Sequence, residues 1–518
     1  MSGLLRPAHV TRAALSSLFT GLDVVIHADP DADPQVGDIT LDSRTVGPGT
    51  LYVALPGTKA HGADFSSAAA AQGAVAVLTD VEGRDRAAAT GLPVVVCEDP
   101  RAAMALAAAT LFGRPTHELR MFGLTGTNGK TTTCFLVEAA LVAAGERVGT
   151  IGTNGFRLDG EPIESSRTTV TTPESPDLQA LLAVMLERGA SAVAMEVSSH
   201  ALVLQRVNEV GFDVAGFTNL GRDHLDFHPT MEDYFQAKSR LFDPRWCRVA
   251  VVNTDDEYGL RLAQKLAGQE LPRLVSTGFG PSDHQILDRR ATPTGSWLKV
   301  AGPYGEREFT IDLPGEYNVR NAVMALAMLT EAGIDADGAI EGLRHAQVPG
   351  RMELVLNDPD APRCYVDFAH TPQAISAAID AVEPDEGGRT IVVIGAGGDR
   401  DRAKRGPMGA AAARGSDLVV VTDDNPRTES PEAIRAAVVA GVKSAKDAVG
   451  RPEVVEVSPR REAIAHALAS ARAGDVVLVL GKGHERGQEI AGEVLPFDDA
   501  GAVRELWDEI RTMAGEGR

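Results

Sequence analysis

Residues 121–133, Met-Phe-Gly-Leu-Thr-Gly-Thr-Asn-Gly-Lys-Thr-Thr-Thr, constrain this chain more than any other stretch, because an apolar run turns into a glycine loop and opens at once into a helix-forming segment. Glycines at 126 and 129 let the backbone turn tightly and aim its N–H groups inward, Lys130 can reach outer phosphates, and the Thr131 hydroxyl can hold Mg2+. A helix starting near Lys130 adds its positive end. The loop and first helical turn, Gly126, Thr127, Asn128, Gly129, Lys130, Thr131 and Thr132, are therefore candidate nucleotide ligands. The eight-residue phosphate-loop pattern would have glycine where Leu124 stands, so the match is to a shorter loop. A purely structural strand–helix corner would need no Lys-Thr after its last glycine.

At 518 residues the chain is too long for one ordinary domain. Its 44% hydrophobic and 24% charged content are those of a globular protein able to bury sizeable cores. The net charge of -22 argues against nonspecific binding to nucleic acid or anionic membrane, so any anionic ligand must be caught by local Arg, Lys and backbone N–H clusters. Four cysteines, Cys97, Cys134, Cys247 and Cys364, lie far apart with no C-x-x-C pair, which suggests buried thiols in a reducing cytoplasm. No apolar run approaches membrane-spanning length, and membrane insertion is not expected.

Three domains are expected, over residues 1–113, 114–348 and 349–518. The first is a small α/β unit with strands near 39–44, 50–55 and 74–78, whose following loops could rim a ligand site. The second alternates strand and helix around a mostly parallel sheet, with strands over 121–124, 192–197, 214–218 and 249–253 and an inserted hairpin over 279–312. Polar residues gather at the carboxyl ends of these strands, where open α/β sheets bind ligands. Glu196 ends an apolar strand as a candidate Mg2+ ligand, and His224 stands between Asp223 and Asp226. The helix over 321–330 carries two methionines expected in the core. The third domain, with strands over 364–369, 390–394, 418–422, 454–457 and 475–480, reads as a doubly wound, Rossmann-like sheet without its own phosphate loop. Its Gly395-Ala-Gly-Gly398 lacks dinucleotide-site spacing.

Taken together, Gly126-Thr-Asn-Gly-Lys-Thr-Thr132, Glu196-Val-Ser-Ser-His200, Asn219 to His224, Tyr317, Asn318 and Asn321, Gly350-Arg351 and Asp367-Phe-Ala-His370 resemble, in order, the motifs of the Mur ligase family. The resemblance covers nearly the whole chain. It implies a UDP-sugar-binding first domain, a central ATP-binding domain and a C-terminal amino-acid-binding domain. It further implies a cytoplasmic, monomeric enzyme of peptidoglycan precursor synthesis that forms an amide from ATP through an acyl phosphate. Within the family, Gly398-Asp-Arg-Asp401, Asp423-Asp-Asn-Pro-Arg-Thr428 and Gly481-Lys-Gly-His-Glu485 are similar to the member that adds meso-diaminopimelate to UDP-N-acetylmuramoyl-L-alanyl-D-glutamate. Arg427 is the discriminating residue.

The same resemblance assigns roles. Lys130, Glu196, His224 and Lys238 would be catalytic, with Thr131, Glu196, His224 and a carbamylated Lys238 around Mg2+. Without the resemblance, Lys238 would read as a surface helix lysine. Asn318, Arg351 and Asp367 would contact the base, phosphates and ribose of ATP, at a site completed by domain closure. Leu41, Ser43, Thr58, Lys59 and Ala60 would take the UDP end of the muramoyl dipeptide, and Thr171, Thr172, Ser198 and Arg206 its peptide end. Arg400, Asp424, Asn425, Pro426, Arg427, Gly481 and Glu485 would form the diaminopimelate pocket. Diaminopimelate differs from lysine by one distal carboxylate, so a selective pocket needs a fixed cation, and Arg427 would be left unpaired if lysine entered.

Other readings remain open from the residues. The chain could add L-lysine or another diamino acid, or be a folate polyglutamate ligase. It could also be a slow, nucleotide-gated binding protein, or a catalytically dead scaffold, though neither would need all of these polar residues together.

Overall fold

The computed structural model describes residues 5–29, 32–165, 171–224, 227–449 and 452–516. Asp226 lies outside them. The chain forms two compact units, one of Met1–Gln285 with Gly302–Tyr304 and Val323–Leu343, the other of Ile286–Ala301 with Gly305–Ala322 and Arg344–Arg518.

The first unit holds two main sheets. Its N-terminal sheet runs in the order Val25–His27, Val94–Val96, Ala74–Thr79, Thr50–Ala54, Asp38–Thr40. All neighbours are parallel except the first pair. Strands Thr50–Ala54 and Val94–Val96 are buried along their whole length, as the interior of a parallel sheet requires. The expected strand over 39–44 stops at Thr40. Asp42 instead accepts a hydrogen bond from Arg44 N at 3.0 Å and caps a short turn over Ser43–Thr45, because Asp and Ser bond nearby backbone in competition with the ladder. The alanine-rich helix Pro100–Leu111 starts at the Asp99 cap and ends before Gly113, at φ 78°. It shares one core with the N-terminal sheet and with Ala180 and Ala183 of helix Ser175–Glu187. Ion pairs Arg6–Asp177, Arg101–Glu174 and Arg114–Glu209 fasten the same junction.

The second sheet has eleven strands, of which the first eight in spatial order are Glu161–Pro162, Gly155–Leu158, Val148–Gly152, Ala192–Glu196, Arg120–Thr125, Phe212–Phe217, Cys247–Asn253 and Arg273–Gly278. Between Val148–Gly152 and Arg273–Gly278 every pairing is parallel. The strand preceding the glycine loop is therefore flanked on both sides, with Leu124 opposite Glu196 and Thr125 opposite Phe217, so three strand ends meet at one edge. Bare glycine at 216 admits Met324 and Met328, whose sulfurs lie 3.2 and 3.0 Å from where a Cβ would stand. The two methionines are core, as expected.

The second unit is built on a six-stranded sheet ordered Glu353–Leu356, Arg363–Asp367, Val476–Leu480, Thr390–Ile394, Leu418–Val421, Glu453–Glu456. Only the first pair is antiparallel. One face is covered by helices Pro372–Asp380, Arg405–Arg414 and Pro431–Val449, the other by Arg460–Ser470 and Asp499–Glu516. This is the doubly wound arrangement. A two-stranded ribbon, Gly487–Ile490 with Glu493–Pro496, follows the last sheet strand and was not foreseen in the sequence. All four cysteines are free and buried. No described helix is long and apolar enough to cross a membrane.

Candidate active site

In the first unit the glycine loop is tied down from one side. Gly126 has φ 147°, and a Cβ there would stand 1.9 Å from Thr218 Oγ1; Gly129 has φ 87°. Only glycine meets both demands. Thr127 N donates to Asn219 O at 2.9 Å, Asn128 N to Asn219 Oδ1 at 3.0 Å, and Thr218 Oγ1 to Asn128 O at 2.6 Å. The segment from Thr218 to Gly221 thus fixes the loop, as its place after the adjacent strand allows. Lys130, the first residue of helix Lys130–Ala143, folds over the loop and donates to the carbonyls of Gly126 and Thr127, both at 2.9 Å. Buried Thr132 follows within the same helix.

Glu196 is 2% exposed. Its Oε1 accepts from Thr131 Oγ1 at 2.9 Å and from Thr153 N at 2.8 Å, and Oε2 from Thr153 Oγ1 at 3.2 Å. Among the described residues the carboxylate is held by hydroxyls and an N–H rather than paired with a cation. A hydroxyl and a carboxylate converging beside a phosphate loop form the oxygen donor set suited to Mg2+. A Cβ on Gly152 would meet Glu196 Oε1 at 2.3 Å, so that glycine makes room for it.

Lys238 is 1% exposed, on helix Met231–Ser239. The surface-lysine reading therefore does not hold. Its Nζ donates to Gly126 O at 2.8 Å and lies 4.7 Å from the centre of the Tyr234 ring. Burial, aided by the Lys130 charge, pushes its pKa well below the ordinary lysine value. A neutral amine is the form that adds CO2.

His224 takes a left-handed φ of 52°, with Nε2 3.5 Å from Asp223. It belongs to a ring cluster that the sequence reading missed. His200 stacks on Phe227 at 4.0 Å and lies 5.1 Å from His224, while buried His228 pairs through Nε2 with Ser199 Oγ at 2.8 Å. The spacing of His224 and His228, four residues apart, was the available signal.

Among the proposed peptide-end residues, Thr172 joins Ser198 and Arg206. Thr172 Oγ1 donates to Glu196 O at 2.9 Å and accepts from Ser198 N at 3.2 Å. Arg206 donates to Thr172 O at 3.1 Å and to Glu174 at 2.9 Å, and Thr171 Oγ1 lies 3.4 Å from Thr153 Oγ1. Leu41 and Ser43, and exposed Thr58, Lys59 and Ala60, follow adjacent parallel strands and so lie on one edge of the N-terminal sheet.

In the second unit, Arg351 lies 4.6 Å over the Phe368 ring, and its Nε is buried without a hydrogen-bond partner among the described residues. An orphaned buried guanidinium donor suits a phosphate. Asp367 Oδ2 accepts from Met352 N at 2.8 Å; burial raises its pKa, against the pull of Arg351. Asn318 is buried and bonds Pro314 O at 2.8 Å and Asn321 at 3.2 Å.

The third-domain candidates converge. Asn425 donates to Glu485 Oε2 at 2.8 Å and to Asp424 Oδ1 at 3.3 Å, while fully buried Lys482, quoted in its motif but given no role, donates to Asn425 Oδ1 and Glu485 Oε2, each at 3.1 Å. Gly481, at φ 116°, places a would-be Cβ 3.6 Å from Asp424 Oδ2. A Cβ on Gly397 would be 3.1 Å from Arg427 Nη1 and 3.9 Å from Arg400 Cγ, and one on Gly398 would overlap Pro426 O. Arg427 itself has φ 53°, donates through Nη1 to Gly398 O at 2.7 Å, and pairs through Nε with Glu489 at 3.1 Å. The expectation that Arg427 stands unpaired without a ligand carboxylate is therefore corrected, because the ribbon supplies a carboxylate of its own.

Comparison with known proteins adds to this geometry. Residues 35–111 match the model for the Mur ligase family, catalytic domain, 124–329 that for the Mur ligase middle domain, and 350–483 that for the Mur ligase, glutamate ligase domain. A protein of Streptomyces avermitilis named UDP-N-acetylmuramoyl-L-alanyl-D-glutamate--2,6-diaminopimelate ligase is 49% identical over 503 residues, covering 96% of this chain and 97% of its own. The chain belongs to the Mur ligase family. That membership brings the ligase class and the three-domain α/β architecture. A Leifsonia xyli relative, 43% identical over 96% of each chain, is named UDP-N-acetylmuramyl-tripeptide synthetase, which leaves its third amino acid unstated. A solved structure of a UDP-N-acetylmuramoyl-L-alanyl-D-glutamate--2,6-diaminopimelate ligase superimposes with a TM-score of 0.71 at 31% identity, covering 97% of this chain and all of that one.

Proposed function

We propose that this Mur ligase adds meso-2,6-diaminopimelate to UDP-N-acetylmuramoyl-L-alanyl-D-glutamate at the expense of ATP. The observation that carries the choice of amine is the fixed Arg427 guanidinium set beside the Asn425–Glu485–Lys482 cluster, in a chain 49% identical to a relative named for that reaction. A distal carboxylate finds a planar cation there, and a distal ammonium finds Glu485 and Asp424.

ATP, when bound with Mg2+, supplies the phosphoryl group that turns the glutamate carboxylate into an acyl phosphate. The chain's own part is positioning and charge neutralisation, since two anions must be brought together. Loop N–H groups and Lys130, released from the carbonyls it now holds, neutralise phosphate oxygens. Thr131 and Glu196 supply metal oxygens. Lys238, whose pKa burial lowers, would carry the carbamate, an anionic group that with His224 could hold a second metal. Arg351 takes a phosphate, Asp367 the ribose and Asn318 the base. Thr171, Thr172, Ser198 and Arg206 hold the peptide end of the acceptor, while Leu41, Ser43 and the loop of Thr58, Lys59 and Ala60 hold its UDP end. Arg400, Asp424, Pro426 and Gly481 complete the amine pocket.

One observation favours a second reading, L-lysine or another diamino acid: Arg427 already has Glu489 as counter-ion, so a lysine in the pocket would not leave it bare. Phosphate release with ATP, Mg2+ and the UDP-muramoyl dipeptide, with meso-diaminopimelate, L-lysine or no amine, separates the readings. Release dependent on diaminopimelate supports the proposal. Equal release with lysine supports the second reading, and release indifferent to any amine contradicts both.

A further inference from the structure

The ribbon Gly487–Ile490 and Glu493–Pro496 is bound to the 424–427 turn by main-chain and side-chain contacts at successive residues. Gln488 Nε2 donates to Asp424 O at 2.6 Å, Glu489 N to Asn425 Oδ1 at 3.0 Å, Arg427 N to Glu489 O at 2.9 Å, and Ala491 N to Arg427 O at 2.7 Å. The turn has to reach for these bonds with Arg427 in the left-handed region, a conformation that costs a non-glycine residue roughly 1 kcal/mol or more. The ribbon offsets that cost. It also fixes the side chain: Glu489 Oε2 takes Nε at 3.1 Å while Gly398 O takes Nη1 at 2.7 Å. Two of the three guanidinium nitrogens are then held, which fixes the plane in which the remaining Nη hydrogens can meet a carboxylate in parallel bonds. A long, flexible arginine would otherwise lose side-chain entropy on binding.

Resting on the diaminopimelate reading, we propose that Glu489 is a positioning residue that sets amine specificity by presenting the remaining Nη hydrogens of Arg427 to the distal carboxylate. Glu489 does not touch the reacting atoms. It acts through Arg427, and its 42% exposed side chain lies on the ribbon rather than in the core, so its removal spares the fold.

The test is steady-state kinetics of wild type, E489A, E489Q and E489D with meso-diaminopimelate, L-lysine and ATP each varied, alongside thermal melting. E489A should raise the KM for diaminopimelate about tenfold, as loss of an ordered charge-assisted contact does, with the KM for ATP little changed. Its preference for diaminopimelate over lysine should fall by a similar factor. E489Q keeps an acceptor for Nε and should recover most of the loss, and E489D, one methylene shorter, should shift in the same direction by a smaller factor. An unchanged or lower KM for diaminopimelate in E489A overturns the proposal. So does a rise in the KM for ATP equal to that for the amine, accompanied by a lowered Tm. If E489A does not fold, E489D decides alone, and an unchanged amine preference overturns the proposal. Failure of the underlying reading shows separately, as wild type that ignores diaminopimelate, and removes this proposal with it.

Discussion

At the residue scale, the central device is the pairing of bare glycines with the polar groups they admit. Gly152 is the sharpest case, because a Cβ there would stand 2.3 Å from Glu196 Oε1 while the strand around it stays buried and regular. Gly152→Ala should push the carboxylate away from Thr131 and lower turnover about 100-fold, the scale of a misplacement near 1 Å. Melting would show whether the fold survives; turnover within threefold of wild type would contradict the role given to Glu196. Lys238 makes a second claim at this scale. Its buried amine, whose pKa burial lowers, should carry CO2, so native mass spectrometry of active enzyme kept in bicarbonate should show a carbamate adduct that Lys238→Arg lacks. Fully active enzyme with an unmodified Lys238 would contradict it. Lys130, Thr131 and Glu196 were legible in the sequence because their chemistry is carried by local spacing. The buried state of Lys238 was not, because nothing in Tyr234-Phe-Gln-Ala-Lys238 says that the helix turns that face inward.

At the scale of elements, long apolar runs announced themselves and short or twisted pieces did not. Strands over 390–394 and 418–421 are buried on both faces of a parallel sheet and read as continuous β-branched runs. The three-residue strands Val25–His27 and Val94–Val96 carry too little pattern, and the two four-residue strands of the ribbon Gly487–Pro496 mix polar with exposed apolar residues, so neither stood out. That ribbon brings Glu489 to Arg427, and its omission is why Arg427 looked unpaired. Three strands, His284–Ala291, Ser296–Gly302 and Gly305–Ile311, stand where a hairpin was expected, and they make a testable claim of their own. His284, in the first of them, is fully buried, and desolvation pushes its pKa down to about 4. Between pH 6.5 and 4 the unfolded chain binds the proton and the folded chain does not, so stability is complete above this window and falls as pH drops through it. The loss from this residue approaches an order of 3 kcal/mol. Denaturation midpoints measured from pH 7 to 4 should show a shallower decline for His284→Gln than for wild type, and identical slopes would contradict the assignment.

At the scale of the molecule, each unit keeps its candidate residues at strand ends, as open α/β sheets do. The order of motifs along the chain was enough to suggest the family. What sequence could not supply was the internal counter-charge, the packing of His200 against the local His224–His228 pair, and the anchoring of Asn425 by buried Lys482, since each depends on residues brought together from distant segments. The choice of amine belongs to this scale, because it joins the loops over 397–400, 424–427 and 481–489. Arg427→Ala should cost about 2–4 kcal/mol in use of diaminopimelate, roughly 30- to 800-fold in kcat/KM, and far less in ATP affinity. Equal losses in both would count against the pocket.

The most direct measurement is a single-pot competition: purified enzyme with ATP, Mg2+, the UDP-muramoyl dipeptide and equal concentrations of meso-diaminopimelate and L-lysine, with the nucleotide product weighed by mass spectrometry. The account predicts that the product is almost entirely the diaminopimelate tripeptide, and that Arg427→Ala erodes this preference. A product made chiefly with lysine, or no amide product at all, would contradict it.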